Sequence, residues 1–82
     1  MRVQNNDNVF ILPHRIPFVV WRQHRWNNKK RVALQQHLAT EEQQSHTYVV
    51  KTHLMTAFTG MVTLYDGAGQ KYSAHHSDVV RV

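Results

Sequence analysis

The sequence predicts a small β-rich domain, either a curled antiparallel sheet or an SH3/Sm-like barrel. Two observations predict it: β-branched and aromatic residues occur in short runs, which is typical of strands, and turn-forming residues separate the runs of the C-terminal half. Residues 29–45 leave open an α+β alternative with one helix in that segment. The length of 82 residues predicts a single domain, residues 1–82.

The first half of the chain begins with two expected strands. Residues 8–12 are short and apolar, and they end before Pro13, which has no amide N–H to continue a central ladder. We expect a second strand over residues 16–24, because this segment contains the β-branched and aromatic run Phe18, Val19, Val20 and Trp21. Residues 25–28 include two asparagines and are expected to form a turn.

Residues 29–39 are compatible with either a strand or a helix. In a strand, Val32, Leu34 and Leu38 share a face, whereas in a helix only Leu34 and Leu38 do so. The lysine, arginine, alanine, leucine and glutamine residues of the segment nevertheless favour a helix. Residues 40–43 match a capping box, which indicates the start of a helical turn.

The second half of the chain has a clearer strand pattern. Alternating apolar positions predict a half-buried strand over residues 48–58. Residues 61–65 and 70–74 flank a glycine-containing turn at 66–69, which predicts a β-hairpin. A turn at Ser77 and Asp78 and a short closing strand over 79–82 follow.

Composition excludes several classes of site. The chain has no cysteine, so it cannot form a disulfide, a catalytic thiolate or a zinc–thiolate site. No apolar run approaches the roughly 18 residues of a membrane span. We therefore expect a cytoplasmic protein without membrane association and without a cofactor. Since so short a chain has a small core, a homodimer is compatible with it.

Positive charge is concentrated in one part of the chain. The formal net charge is +5, and no acidic residue lies between Asp7 and Glu41. That interval contains six cations: Arg15, Arg22, Arg25, Lys29, Lys30 and Arg31. Such a cluster favours an acidic partner, whether nucleic acid or protein.

Residues 21–31 interleave tryptophan with cations. Nucleic-acid binding uses cations to replace the counterions of phosphates and flat side chains on which bases stack. The sequence thus predicts a non-catalytic, regulatory nucleic-acid-binding domain. Its phosphate-binding residues would be Arg22, Arg25, Lys29, Lys30 and Arg31, with Trp26 stacking on a base. The choice between RNA and DNA stays open, since no recognised RNA- or DNA-binding motif is present.

A protein-interaction module is the alternative. Tryptophan and arginine are also enriched in protein–protein hot spots, so the same basic segment would suit a small inhibitor or adaptor that docks on the acidic surface of a larger protein.

Metal binding and catalysis have weaker support. Among the seven histidines, His46, His53, His75 and His76 show no established metal-ligand spacing, so no metal site is expected. A small ribonuclease using His76 and Asp78, with Tyr72 and Arg81 nearby, is the third hypothesis. We do not expect an enzyme.

Overall fold

An antiparallel sheet with helices connecting its strands forms the structure, a computed structural model that describes residues 3–82. Its strands are β1 (Asn8–Ile11), β2 (Tyr48–Lys51), β3 (Met61–Tyr65), β4 (Lys71–His75) and β5 (Val79–Arg81). The order across the sheet is β4-β3-β2-β1-β5, and every neighbouring pair is antiparallel. The antiparallel sheet and the α+β alternative are therefore confirmed. The sheet is not closed into a barrel, since its edge strands β4 and β5 do not pair with each other.

The helices within the described residues are α1 (Ile16–Gln23), α2 (Asn28–Leu38), α3 (Glu41–Ser45) and α4 (Thr56–Thr59). Helix α1 packs on β4 and on α2. The strand register places Val50, Leu64 and Tyr72 on the sheet face that is buried. These side chains join one core whose members are Val3, Val9, Ile11, Ile16, Val19, Val20, Leu38, Tyr48, Val50, Val62, Leu64, Tyr72, Ala74 and Val79.

The strand predicted over 16–24 is wrong, because the segment forms helix α1. Pro17 lies in the first turn, where its fixed φ suits a helix and its missing N–H costs no hydrogen bond. Ile16, Val19 and Val20 are buried at positions i, i+3 and i+4. This helical spacing, which allows α1 to bury one face against the sheet, outweighs the β propensity of the individual residues.

The ambiguous region 29–45 is helical. Asn27 caps α2 by accepting a 3.0 Å hydrogen bond from the Lys30 backbone N–H. Thr40 caps α3 by accepting a 3.3 Å hydrogen bond from Gln43 N–H, as the capping motif predicted. Helix α2 buries little besides Leu38, so most of its surface faces solvent.

The strand predicted over 48–58 is too long, since β2 ends at Lys51 and the chain then turns into α4. The buried Thr56 hydroxyl explains the bend: it accepts a 2.9 Å bond from His53 N–H and donates a 2.8 Å bond to Met61 O. Leu54 and Phe58, expected on the buried face of the predicted strand, are instead 93% and 83% exposed.

The hairpin prediction is confirmed by β3 and β4, which pair from Met61–His75 to Tyr65–Lys71. Its loop is held by Asp66, whose Oδ1 accepts bonds from Ala68 N–H at 2.9 Å and Gln70 N–H at 2.8 Å. The expected closing strand is β5, which pairs with β1.

Candidate functional site

The basic segment forms the end of α1, a loop and the start of α2. The expected strand is therefore wrong, whereas the turn expected over residues 25–28 is present in the loop at Arg25 and Trp26. Trp26 lies in the loop with 92% of its surface exposed. Arg25, Lys29 and Lys30 are also exposed. We call these four residues the basic loop surface. The fold thus places four of the six predicted site residues on the exposed loop and the first turn of α2.

Guanidinium groups cover aromatic rings on the outer side of α1. The Arg25 guanidinium lies 4.4 Å from the ring centroid of Trp21, and that of Arg15 lies 4.4 Å from the centroid of Phe18. Both rings are about half exposed, at 49% for Trp21 and 50% for Phe18. The contact with Trp21 restricts the Arg25 side chain, while the guanidinium N–H groups can still donate to a ligand.

Arg22, the first predicted phosphate-binding residue, is instead paired with a buried carboxylate. Its Nη1 contacts Oδ2 of Asp78, and Arg15 Nε donates to Oδ1 of the same residue at 2.9 Å. The Asp78 side chain is completely buried. Burial alone would raise the pKa of Asp78, but the bonds from His75 N–H and the two guanidinium groups outweigh it and lower that pKa. Arg22 therefore has a structural role.

Arg31 also serves the fold. Its Nη1 donates to His24 O at 3.0 Å and to Arg25 O, and its Nη2 donates to Asn28 Oδ1 at 3.3 Å. These acceptors lie after the last turn of α1 and at the start of α2. Arg31 thus fixes the loop that displays Trp26.

The cations of the basic loop surface have no carboxylate partner in the part of the chain described. Both side-chain ion pairs within residues 3–82 are made by Asp78. An anionic ligand at Arg25, Lys29 and Lys30 would therefore not have to displace a carboxylate of the described residues.

The histidine pair His75 and His76 lies at the end of β4. The two ring centroids lie 4.3 Å apart with the ring planes tilted by 33°, and His75 Nδ1 lies 2.8 Å from the Ser77 hydroxyl. Burial and the neighbouring His76 lower the pKa of His75. No group of three or more metal-ligating side chains converges among the described residues.

The acid–base pair of the ribonuclease hypothesis is not assembled. Asp78 is buried and its oxygens accept bonds from Arg15, Arg22 and His75 N–H. Its carboxylate therefore cannot reach a substrate in solvent in this conformation. Tyr72 is buried on β4, and Arg81 on β5 lines a cleft with His76 to which neither Tyr72 nor Asp78 contributes.

The sequence analysis did not predict that three apolar side chains are exposed at the surface: Phe18, Leu54 and Phe58. The signal for Phe18 was present, because it lies outside the i, i+3, i+4 spacing of Ile16, Val19 and Val20. No comparable signal marked Leu54 and Phe58, since their exposure depends on the bend at Thr56.

None of the helices described is both long and apolar enough to cross a membrane. Comparisons of the chain with models of protein families, with curated proteins and with solved structures found no match.

Proposed function

We propose that this chain is a non-catalytic nucleic-acid-binding domain that uses the basic loop surface. One observation carries the proposal: Trp26 is 92% exposed, and the three cations within four residues of it in the sequence make no ion pair within residues 3–82. An almost fully exposed tryptophan contributes little to the stability of the fold, since most of its apolar surface stays in water.

The physical basis combines charge with stacking. Arg25, Lys29 and Lys30 would release counterions from about three phosphates, which gives a log–log salt slope of about −2 for a single strand. The Trp26 indole would stack on a base, a contact that tolerates any sequence because every base has a π face. Arg31 and Arg22 support this surface through the fold and are not proposed to contact the ligand.

The test is the fluorescence anisotropy of labelled mixed-sequence RNA and DNA single strands at about 50 and about 200 mM salt. Wild-type affinity should fall about 20-fold between these concentrations. The Lys29→Gln/Lys30→Gln variant should reduce the salt slope to about −0.7. The matched control, Lys51→Gln/Arg81→Gln, removes the same charge from β2 and β5 and should leave the slope unchanged.

Two results would overturn the proposal. The first is the absence of binding to either strand at about 50 mM salt, where phosphate contacts are strongest. The second is an equal loss of affinity in the two double variants, because binding would then follow net charge rather than the basic loop surface.

A protein-interaction module is the second candidate, and a separate observation favours it. Leu54, Met55 and Phe58 are exposed together around α4, and exposed apolar groups of this kind mark interaction surfaces. If the Leu54→Ser/Phe58→Ser variant loses a partner identified by mass spectrometry while Lys29→Gln/Lys30→Gln retains it, the partner binds at α4. The reverse pattern would place a protein partner on the basic loop surface.

A further inference from the structure

A cleft of about 380 Å³ opens between the C-terminal end of α1, the middle of α2 and the β3–β4 hairpin. Its walls include Gln23 and His24 from the end of α1, Leu34 and His37 from α2, and Lys71 and Tyr72 from β4. The volume is at the small end of the range for ligand pockets, about 300 to 1,000 Å³. It suits a ligand of the size of one nucleotide component rather than a large cofactor.

The lining combines an apolar wall with hydrogen-bonding groups. Leu34 and Tyr72 supply the apolar part, and Tyr72 is held edge-on against Tyr48 with centroids 5.9 Å apart. Burial raises the pKa of Tyr48 to about 12 and also raises that of Tyr72, so both phenols are neutral at physiological pH. His24, His37 and Lys71 offer polar atoms around this wall.

Charge indicates which part of a nucleotide fits the cleft. Asp66 also lines it, so the cleft contains one carboxylate as well as the Lys71 ammonium group. A phosphate would therefore gain little net attraction there, compared with the basic loop surface. A nucleobase, which is flat, neutral and edged with donors and acceptors, matches the apolar wall and the polar groups better.

The cleft is continuous with the basic loop surface. Lys30, Leu34 and His37 are spaced i, i+4 and i+7, so they follow one face of α2 from the loop to the cleft. On the α1 side, His24 lines the cleft and directly precedes Arg25 and Trp26. A strand with a phosphate bound at Lys30 therefore passes the mouth of the cleft along this face of α2.

We infer that the cleft holds one unpaired base of the bound strand, so that the ligand is single-stranded nucleic acid. This inference rests on the proposed function and specifies its substrate class. A duplex would have to unstack and unpair a base before that base could enter the cleft, and this costs a few kcal/mol.

The first experiment follows backbone amides by ¹H–¹⁵N NMR during titration with adenosine or uridine 5′-monophosphate. We expect shifts at His37 and Lys71 that ribose 5-phosphate, which has the phosphate but no base, does not produce. Equal shifts with ribose 5-phosphate would show that the cleft binds phosphate, and no shift with any of the three would show that it binds neither. Either result overturns the inference.

The second experiment compares His37→Ala/Lys71→Gln with His46→Ala/Arg81→Gln, which also removes one histidine and one cation, at exposed positions that do not line the cleft. The cleft variant should weaken binding to a single strand of about ten nucleotides by at least about 5-fold. Its affinity for the matching duplex should change by less than about 3-fold, as expected for the loss of one cation. The control should retain both affinities.

The outcomes separate this inference from the proposed function. If wild-type protein binds the single strand and the two double variants behave alike, the cleft assignment fails while the basic loop surface stands. If no oligonucleotide binds but base-dependent NMR shifts occur, the proposed function fails and the cleft is a nucleotide-binding site in its own right.

Discussion

Arg15 and Asp78 are joined by a 2.9 Å hydrogen bond between Nε and Oδ1, although 63 residues separate them in the sequence. Arg22 contacts the other carboxylate oxygen. Arg15 directly precedes α1 and Arg22 lies within it. The buried carboxylate therefore fixes this helix against the turn between β4 and β5. The orientation of α1 in turn determines that Phe18 and Trp21 face solvent.

Asp78→Asn is expected to lower the free energy of unfolding by about 3 kcal/mol. The substitution leaves two guanidinium groups without their counter-charge, and the part-exposed arginines keep the loss at the low end of the range for buried pairs. Urea denaturation measures the change. Glu42→Gln on exposed α3 is the control and should stay within about 0.5 kcal/mol. A similar small effect for Asp78→Asn would show that the ion pairs are dispensable.

Acid should destabilise the protein through Asp78. Its folded-state pKa is lowered from the ordinary value of 3.8, so the unfolded state binds its proton more readily. The stabilisation is fully present above about pH 4 and is lost as the pH falls through the lowered pKa. Urea titrations between about pH 2 and pH 5 should show this loss in wild type. The slope of stability against pH should be smaller in Asp78→Asn, and equal slopes would contradict the assignment.

The pKa of His75 is also lowered, by burial and then by His76. Stability should therefore rise as the pH increases from the lowered value to the ordinary value of 6.5, because the unfolded state binds more protons in that window. His75→Asn keeps a side chain that can accept from Ser77 N–H but does not titrate. The difference between wild type and this variant isolates the contribution of His75, and parallel stability curves across that window would exclude it.

Gly60 is required by both conformation and space. Its φ is +73°, and a Cβ there would lie 2.9 Å from Cδ2 of His76 and closer to the His75 ring. Gly60→Ala is therefore expected to cost about 2 kcal/mol or more. Gly67, which has open space around its Cβ position, is the control, and Gly67→Ala should be nearly neutral. Thermal unfolding of the two variants tests the contrast, and equal melting temperatures would refute it.

The hairpin could be predicted from the sequence because its information is local: two alternating runs flank a turn held by Asp66. The β propensity of Val19 and Val20 favours a strand, whereas their spacing from Ile16 and the position of Pro17 favour the helix α1 that forms. The bend after Lys51 depends on hydrogen bonds of the Thr56 hydroxyl with His53 N–H and Met61 O, which the spacing of the apolar residues does not reveal.

The candidate site was predicted only in part for a related reason. Arg22 and Arg25 have the same charge and nearly the same position in the sequence. Arg22 meets a carboxylate 56 residues away, whereas Arg25 covers Trp21 on the surface. Composition and spacing cannot distinguish these two environments, and they also cannot show that Trp26 is exposed.

Substitutions of the adjacent residues Lys30 and Arg31 should have different effects: the first should weaken binding and the second should lower stability. Lys30→Gln is expected to reduce the salt slope of single-strand binding by about 0.7 with little change in unfolding free energy. Arg31→Gln removes the donors to His24 O and Arg25 O, and it should destabilise the fold by about 1.5 kcal/mol. Anisotropy and urea denaturation on the same two proteins test both expectations. If Arg31→Gln is as stable as wild type, the loop does not depend on this bond network.

Tryptophan fluorescence should identify the residue that stacks on the ligand. Trp26→Phe retains only Trp21, whose ring is covered by Arg25, and its emission should change little when a single strand binds. Trp21→Phe retains the exposed Trp26, whose emission should be strongly quenched by a stacked base. Phenylalanine at 26 can still stack, so this variant should bind more tightly than Trp26→Ala, which is expected to lose about 5- to 150-fold in affinity. Quenching confined to Trp21 would place the bound strand on the outer side of α1 instead of the loop, because only that ring would then be in contact with a base.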